Sequence, residues 1–172
     1  MRKDVGKFGI SDKRGREATS QDPFSFEKSP KDRSLCKKCH NFFLNNRWDN
    51  DREIHRQLSD EGNVHWILCP SCRKATEGYA EGVLTLSGDY LWKHEDEIRR
   101  LLKNEEEKCC ARNPLERVVS VMRDKQRLVM ETTGQKLAEH LGKAVQRAHQ
   151  GEFEIQWGGC PEVCRVSWER KL

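Results

Sequence analysis

Two short stretches, SLCKKCHNFF at 34–43 and WILCPSCRK at 66–74, each hold a pair of cysteines with two residues between them. Thiolates are soft donors, and a Cys-x-x-Cys turn offers two of them to one metal ion with backbone N–H groups aimed at the sulfurs. Tetrahedral zinc needs four, so Cys36, Cys39, Cys69 and Cys72 read together as one structural Zn²⁺ site of ribbon type. The 29 residues between Cys39 and Cys69 exceed the usual loop, and a polar insertion at 49–63 accounts for the excess. The competing chemistry is a pair of redox dithiols, yet redox Cys-x-x-Cys motifs normally occur singly beside a βαβ pattern. Four thiolates close the shell and leave no open position for metal catalysis. His40, His55 and His65 stand nearby and are expected at the surface.

Four of the eight cysteines remain. Cys109 and Cys110 follow a charged helical stretch, and Cys160 and Cys164 follow the last expected strand. These thiols are either ordinary side chains, ligands of a second metal or a redox set. No catalytic constellation accompanies them: there is no Gly-rich phosphate loop, no Gly-x-Ser-x-Gly and no His-Glu-x-x-His. The carboxylates of HEDEIRR and NEEEK lie among opposite charges, as solvated helix faces do. Neither an enzyme nor a small-molecule substrate is expected. Basic residues instead surround the hooks (Lys37, Lys38, Arg47, Arg73 and Lys74) and dot the N-terminal stretch (Arg2, Lys3, Lys7, Lys13, Arg14 and Arg16). Such points position phosphates without reading sequence.

The elements that must hold these residues follow from composition and period. Of 172 residues, 35% are hydrophobic and 35% charged, with a mean hydropathy of −0.93. One modest core plus a metal-stapled module fits this better than a single large core. The balance of 32 Lys/Arg against 28 Asp/Glu gives +4 and a pI of about 8.6, so polyanion binding depends on clustering. No apolar run is long enough for a membrane span, and the first residues lack the apolar region of a secretory signal. A cytoplasmic protein with reduced thiols is the expectation.

Residues 1–34 show no period and are expected as a basic, flexible tail. Residues 35–78 form the zinc-ribbon module, with short strands in NFFLNNRW and NVHWIL. A short helix between them carries Ile54 and Leu58 at i,i+4. Over 79–157 the order becomes β-α-β-β-α-β: GVLTLSG, HEDEIRRLLKNEEEK, RVVSVMRD, RLVMETT, GQKLAEHLGKAVQRAH and EFEIQW. This predicts an α+β, ferredoxin-like split βαβ domain, with two helices on one face of a four-stranded antiparallel sheet and the other face free for a partner. Leu84, Leu86, Ile98, Leu101, Leu137, Leu141, Val145 and Ile155 are the expected core. Thr132 and Gln135 have the spacing of a capping box. Residues 158–172 read as an appendage, with Trp168 folding back.

The combination of CPSC, the strand YAEGVLTLSG, a charged helix and TTGQKLAEHLGKAVQRAHQGEFEI resembles the N-terminal region of the nonsense-mediated decay protein 3 family, the export adaptor of the large ribosomal subunit. The resemblance spans roughly Cys36 to Trp157. That family carries further Cys-x-x-Cys pairs and additional C-terminal domains, neither of which is found among these 172 residues. The resemblance implies a small, non-catalytic protein that binds large-subunit rRNA and proteins in assembly, quality control or stress dormancy. A zinc-ribbon protein–protein adaptor and a thiol redox sensor are the alternatives.

Overall fold

Alternation of apolar and polar residues sets most of the strands, and residues at positive φ, mostly glycine and asparagine, turn the chain between elements. A computed structural model describes residues 28–159 and 162–172. The six basic points of the N-terminal stretch and Cys160 lie outside these residues.

The first half is small and tightly turned. Strand β1 (Ser34–Cys36) leads into the first hook, followed by β2 (Phe42–Leu44) and β3 (Arg47–Asp49). Asn45 and Asn46 make the hairpin turn, both at positive φ (52° and 60°). Asparagine tolerates this conformation better than most residues. Helix α1 (Arg52–Glu61) is capped by Asp51, whose carboxylate accepts from the N–H groups of Glu53 and Ile54. Strand β4 (His65–Ile67) then pairs parallel to β1, giving the order β3-β2-β1-β4. Leu35, Phe42 and Leu58 form its core. The helix expected from Ile54 and Leu58 is present, although only Leu58 is buried.

The second hook opens a helix, α2 (Pro70–Glu77), where a ribbon would place another strand-end turn. Pro70 at the first helical position has its backbone pre-set, and Gly78 in the left-handed conformation ends the element.

The second half forms one mixed sheet. It contains β5 (Gly82–Ser87), the short helix α3 (Asp89–Lys93), α4 (Glu95–Arg112), the hairpin β6 (Val118–Asp124) and β7 (Arg127–Thr132), α5 (Gln135–His149), β8 (Glu152–Gly158) and β9 (Val163–Glu169). The strand order is β6-β7-β5-β9-β8. The split βαβ half is present, with β7 between the parallel pair β5 and β6. The four-stranded ferredoxin-like order is not: β9 lies where β8 was expected, parallel to β5, and displaces β8 to the edge. The physical reason is apolar pattern. Cys164, Val166 and Trp168 alternate inward and are all buried, whereas Phe153, Ile155 and Trp157 of β8 remain partly exposed. Residues 158–172 therefore supply a central strand and not an appendage.

Helices α4 and α5 bury Ile98, Leu102, Leu137, Leu141 and Val145 against Leu84, Leu86, Leu128 and Met130, in one cluster on one face. Leu101 and Ile155, expected in the core, pack on its margin. The capping box does not form: Thr132 closes β7 and donates to Gly134 O, and Gln135 Nε2 donates to Glu162 O. Gly142 admits the close approach of α5 to the sheet. A Cβ there would meet Val166 Cγ1 at 2.4 Å and Phe153 Cε2 at 2.9 Å. Gly142→Val is expected to lower stability by about 1–3 kcal/mol or more through overpacking. A reduced urea midpoint with an unchanged slope would show it.

Candidate metal centre

The four hook cysteines converge. Their sulfurs all lie within 4.8 Å of one another, with Cys39 and Cys69 3.6 Å apart. Metal–sulfur bonds of about 2.3 Å in a tetrahedron require sulfurs about 3.8 Å apart. Cys36, Cys69 and Cys72 are buried, and Cys39 is half-buried. Among the described residues this is the one group of three or more donors positioned to share an ion.

Local structure explains the convergence. The first hook is a tight turn in which the N–H of Lys38 donates to Cys36 Sγ and that of Asn41 to Cys39 Sγ, each at 3.4 Å. The N–H of Cys69 also donates to Cys36 Sγ at 3.4 Å. The second pair occupies the N-cap and first turn of α2, where free N–H groups and the helix dipole favour anionic sulfur. Four packed sulfurs cannot all ionise unaided. Hydrogen bonds from Cys39 and Cys69 hold the Cys36 thiol well below its ordinary range. Hydrogen bonding to Cys36 and Cys39, together with burial, drives Cys69 far up. Burial and the charge of Cys39 push Cys72 up to about 11. A divalent cation resolves this conflict by taking the place of the protons.

Two side chains around the sulfurs had no signal in the cysteine spacing. Asn41 Nδ2 donates to Cys69 Sγ at 3.5 Å and to Pro114 O at 3.0 Å. Arg117, from the loop that leads into β6, places Nη2 3.0 Å from Cys39 Sγ, 3.6 Å from Cys72 Sγ and 3.7 Å from Cys69 Sγ. Burial alone would make this guanidinium less basic, but the adjoining sulfurs of Cys39, Cys72 and Cys69 raise it on balance. Arg117 lies 45 residues beyond Cys72 in sequence, so no ligand-spacing rule reaches it.

The remaining expected site residues are dispersed. Cys109 and Cys164 belong to the core of the second sheet. Cys110 faces Asn50, whose Nδ2 donates to its sulfur at 3.4 Å. Burial pushes the Cys109 and Cys110 thiols up, away from the reactive thiolate. Lys37 and Lys38 are exposed, with Lys38 Nζ donating to Thr76 Oγ1 at 2.8 Å. Arg73 and Lys37 line a shallow cavity of about 400 Å³ with Leu68, Thr76 and Glu77. Arg47 pairs with Asp49 at 2.7 Å. Lys74 is no surface cation: it is 8% exposed and pairs with Glu81 at 2.6 Å, as an ammonium so buried must.

His40 and His65 are exposed, as expected. His55 is half-buried, its ring 5.5 Å from His40 and 6.3 Å from the exposed Trp66. Charge is unevenly divided. Residues 28–78 carry ten Lys/Arg and seven Asp/Glu. The helix-free face of the second sheet sets Asp124, Glu131, Glu152, Glu154 and Glu169 against Arg127 and Arg165 alone. Among the described residues no helix is long and apolar enough to cross a membrane. Compared with protein-family models, curated proteins and solved structures, the chain matches none.

Proposed function

We propose that the chain is a non-catalytic zinc protein of the cytoplasm that binds the large ribosomal subunit through its metal-bearing half, in assembly, quality control or stress dormancy. The convergence of four sulfurs carries the zinc reading. A closed tetrathiolate shell of this size suits zinc and serves folding instead of catalysis. The ribosomal reading is supported by the basic excess of residues 28–78, by Lys37 and Lys38 on the exposed first hook, and by the resemblance to the nonsense-mediated decay protein 3 family. Trp66 is 47% exposed on the edge strand β4 and lines a cavity with Lys31 and His65, and an exposed indole beside a cation is a surface on which an unpaired base can stack. The free face of the second sheet, with its acidic excess, is not the RNA surface.

Co-sedimentation with ribosomes over a salt series tests this. Binding is expected to weaken steeply with salt, because each neutralised phosphate releases condensed counterion. Lys37→Glu with Lys38→Glu should reduce the logarithmic salt slope by about 2. Lys74 must be left intact, since reversing it would break a buried pair. Co-sedimentation absent in every growth state, stress included, would remove the ribosomal reading.

A protein adaptor is the second reading, favoured by one observation. Edge strand β6 exposes Val121 (44%) in a groove that it lines with Leu102, Val118 and Met130, and Met122 (50%) on the opposite face. Partner capture that survives nuclease and high salt would favour it.

A further inference from the structure

We propose that Arg117 and Asn41 make the metal centre a clasp between the two sheets, so that metal affinity and docking of the 113–117 loop are one linked equilibrium. The inference rests on metal occupancy of the four-cysteine site and requires no ribosomal partner.

A divalent ion bound by four thiolates retains excess negative charge, and here three of the sulfurs are buried. Such charge is tolerated in a protein interior only where donors and a countercharge meet it. The backbone N–H groups of Lys38, Asn41 and Cys69 are donors from the metal-bearing half itself. The guanidinium that touches three of the sulfurs belongs to the other half. Arg117 is fixed there by a reciprocal pair with Thr133: its N–H donates to Thr133 Oγ1 and its carbonyl accepts from the Thr133 N–H, both at 2.9 Å.

The loop before Arg117 is held by the same neighbours. Thr133 Oγ1 donates to Leu115 O at 2.8 Å, Ser71 Oγ to Leu115 O at 3.1 Å, and Asn41 Nδ2 to Pro114 O at 3.0 Å. Asn41 and Ser71 are adjacent to or within the two hooks, so each hook binds both the sulfur shell and the loop. Whatever orders the sulfurs then favours the docked loop. By linkage the docked loop must favour the metal by the same factor. Arg117 and Asn41 are positioning residues: they act on the metal through the sulfurs.

The test is zinc affinity of the purified full chain, measured by competition with a chromophoric chelator. Arg117→Met removes the cation at similar length and is expected to weaken zinc binding about 10- to 100-fold, the usual effect of losing an outer-shell partner. Arg117→Lys should recover part of the loss, restoring the charge but not the fork. Thr133→Val touches no sulfur, so it reports linkage through the loop alone. It should weaken zinc by about 2- to 10-fold, the scale of a lost hydrogen bond, and it remains informative if Arg117→Met fails to fold. Zinc affinities within twofold of the parent for both Arg117→Met and Thr133→Val would overturn the clasp alone. A parent chain that binds no zinc would overturn the clasp and the zinc reading together.

Discussion

On the zinc reading proposed above, a strong chelator is expected to unfold residues 34–77 and to remove one ion per chain. Zinc binding to small modules of this kind is worth an apparent ~10–16 kcal/mol at neutral pH. The alternative source of stability is slight: Leu35, Phe42 and Leu58 are the buried members of the apolar cluster there. Three-residue strands contribute little alone. Cys69→Ser should act like the chelator, since Cys69 is fully buried and its sulfur receives Asn41 Nδ2. Hydrogen exchange should show collapse of protection across β1, β2, β4 and α2. Protection should also weaken at 113–117, which the hooks hold. Elemental analysis finding no zinc in the native protein, or exchange unchanged by chelation, would refute the expectation.

The second large effect concerns the C-terminal strand. Truncation after Gly158 is expected to abolish folding of the second sheet, because β9 bonds to β5 on one side and β8 on the other. Without it β8 has no partner, and β5 loses half its ladder. Trp168→Ala asks the same question with one side chain. Trp168 is fully buried, and such a truncation in a core is worth about 3–5 kcal/mol. Loss of the cooperative thermal transition in the truncated chain, and a much lower midpoint for Trp168→Ala, are the results to look for. A truncated chain that melts like the parent would mean that β9 is dispensable.

The pattern legible in the sequence was the local one. Cys-x-x-Cys spacing announces the hooks, and the alternation in GVLTLS and RLVMET and the helical stripe in QKLAEHLGKAVQRAH announce their elements. All of these depend on residues a few positions apart. Strand order in a sheet does not. EFEIQW and VCRVSWE both alternate, and their relative burial decides which lies in the centre. That depends on how closely α5 approaches at Gly142 and on a pocket that fits Trp168. The same limit hid Arg117. Its role comes from an Asn-Pro turn that carries the chain back to the hooks, and nothing in its immediate neighbours marks it. Lys74 beside Cys72 has the look of a phosphate contact in sequence, but Glu81, seven residues on, takes it inside.

The intercalated strand has a consequence for the order of events at birth. Gly82 to Ser87 run in register with Cys164 to Glu169, so the central ladder joins two strands 82 residues apart in sequence. Pairings between residues so distant in sequence form slowly, because the chain entropy between them must be surrendered first. The four-cysteine half needs nothing beyond Glu77 to bring its sulfurs together. On the zinc reading it can take up an ion while the rest is still being synthesised, and Arg117 joins it afterwards. Until β9 emerges, the nascent chain therefore has its four cysteines together but its second sheet open. During that interval the apolar faces of β5, β7 and α5 are open to chaperones or to other nascent chains.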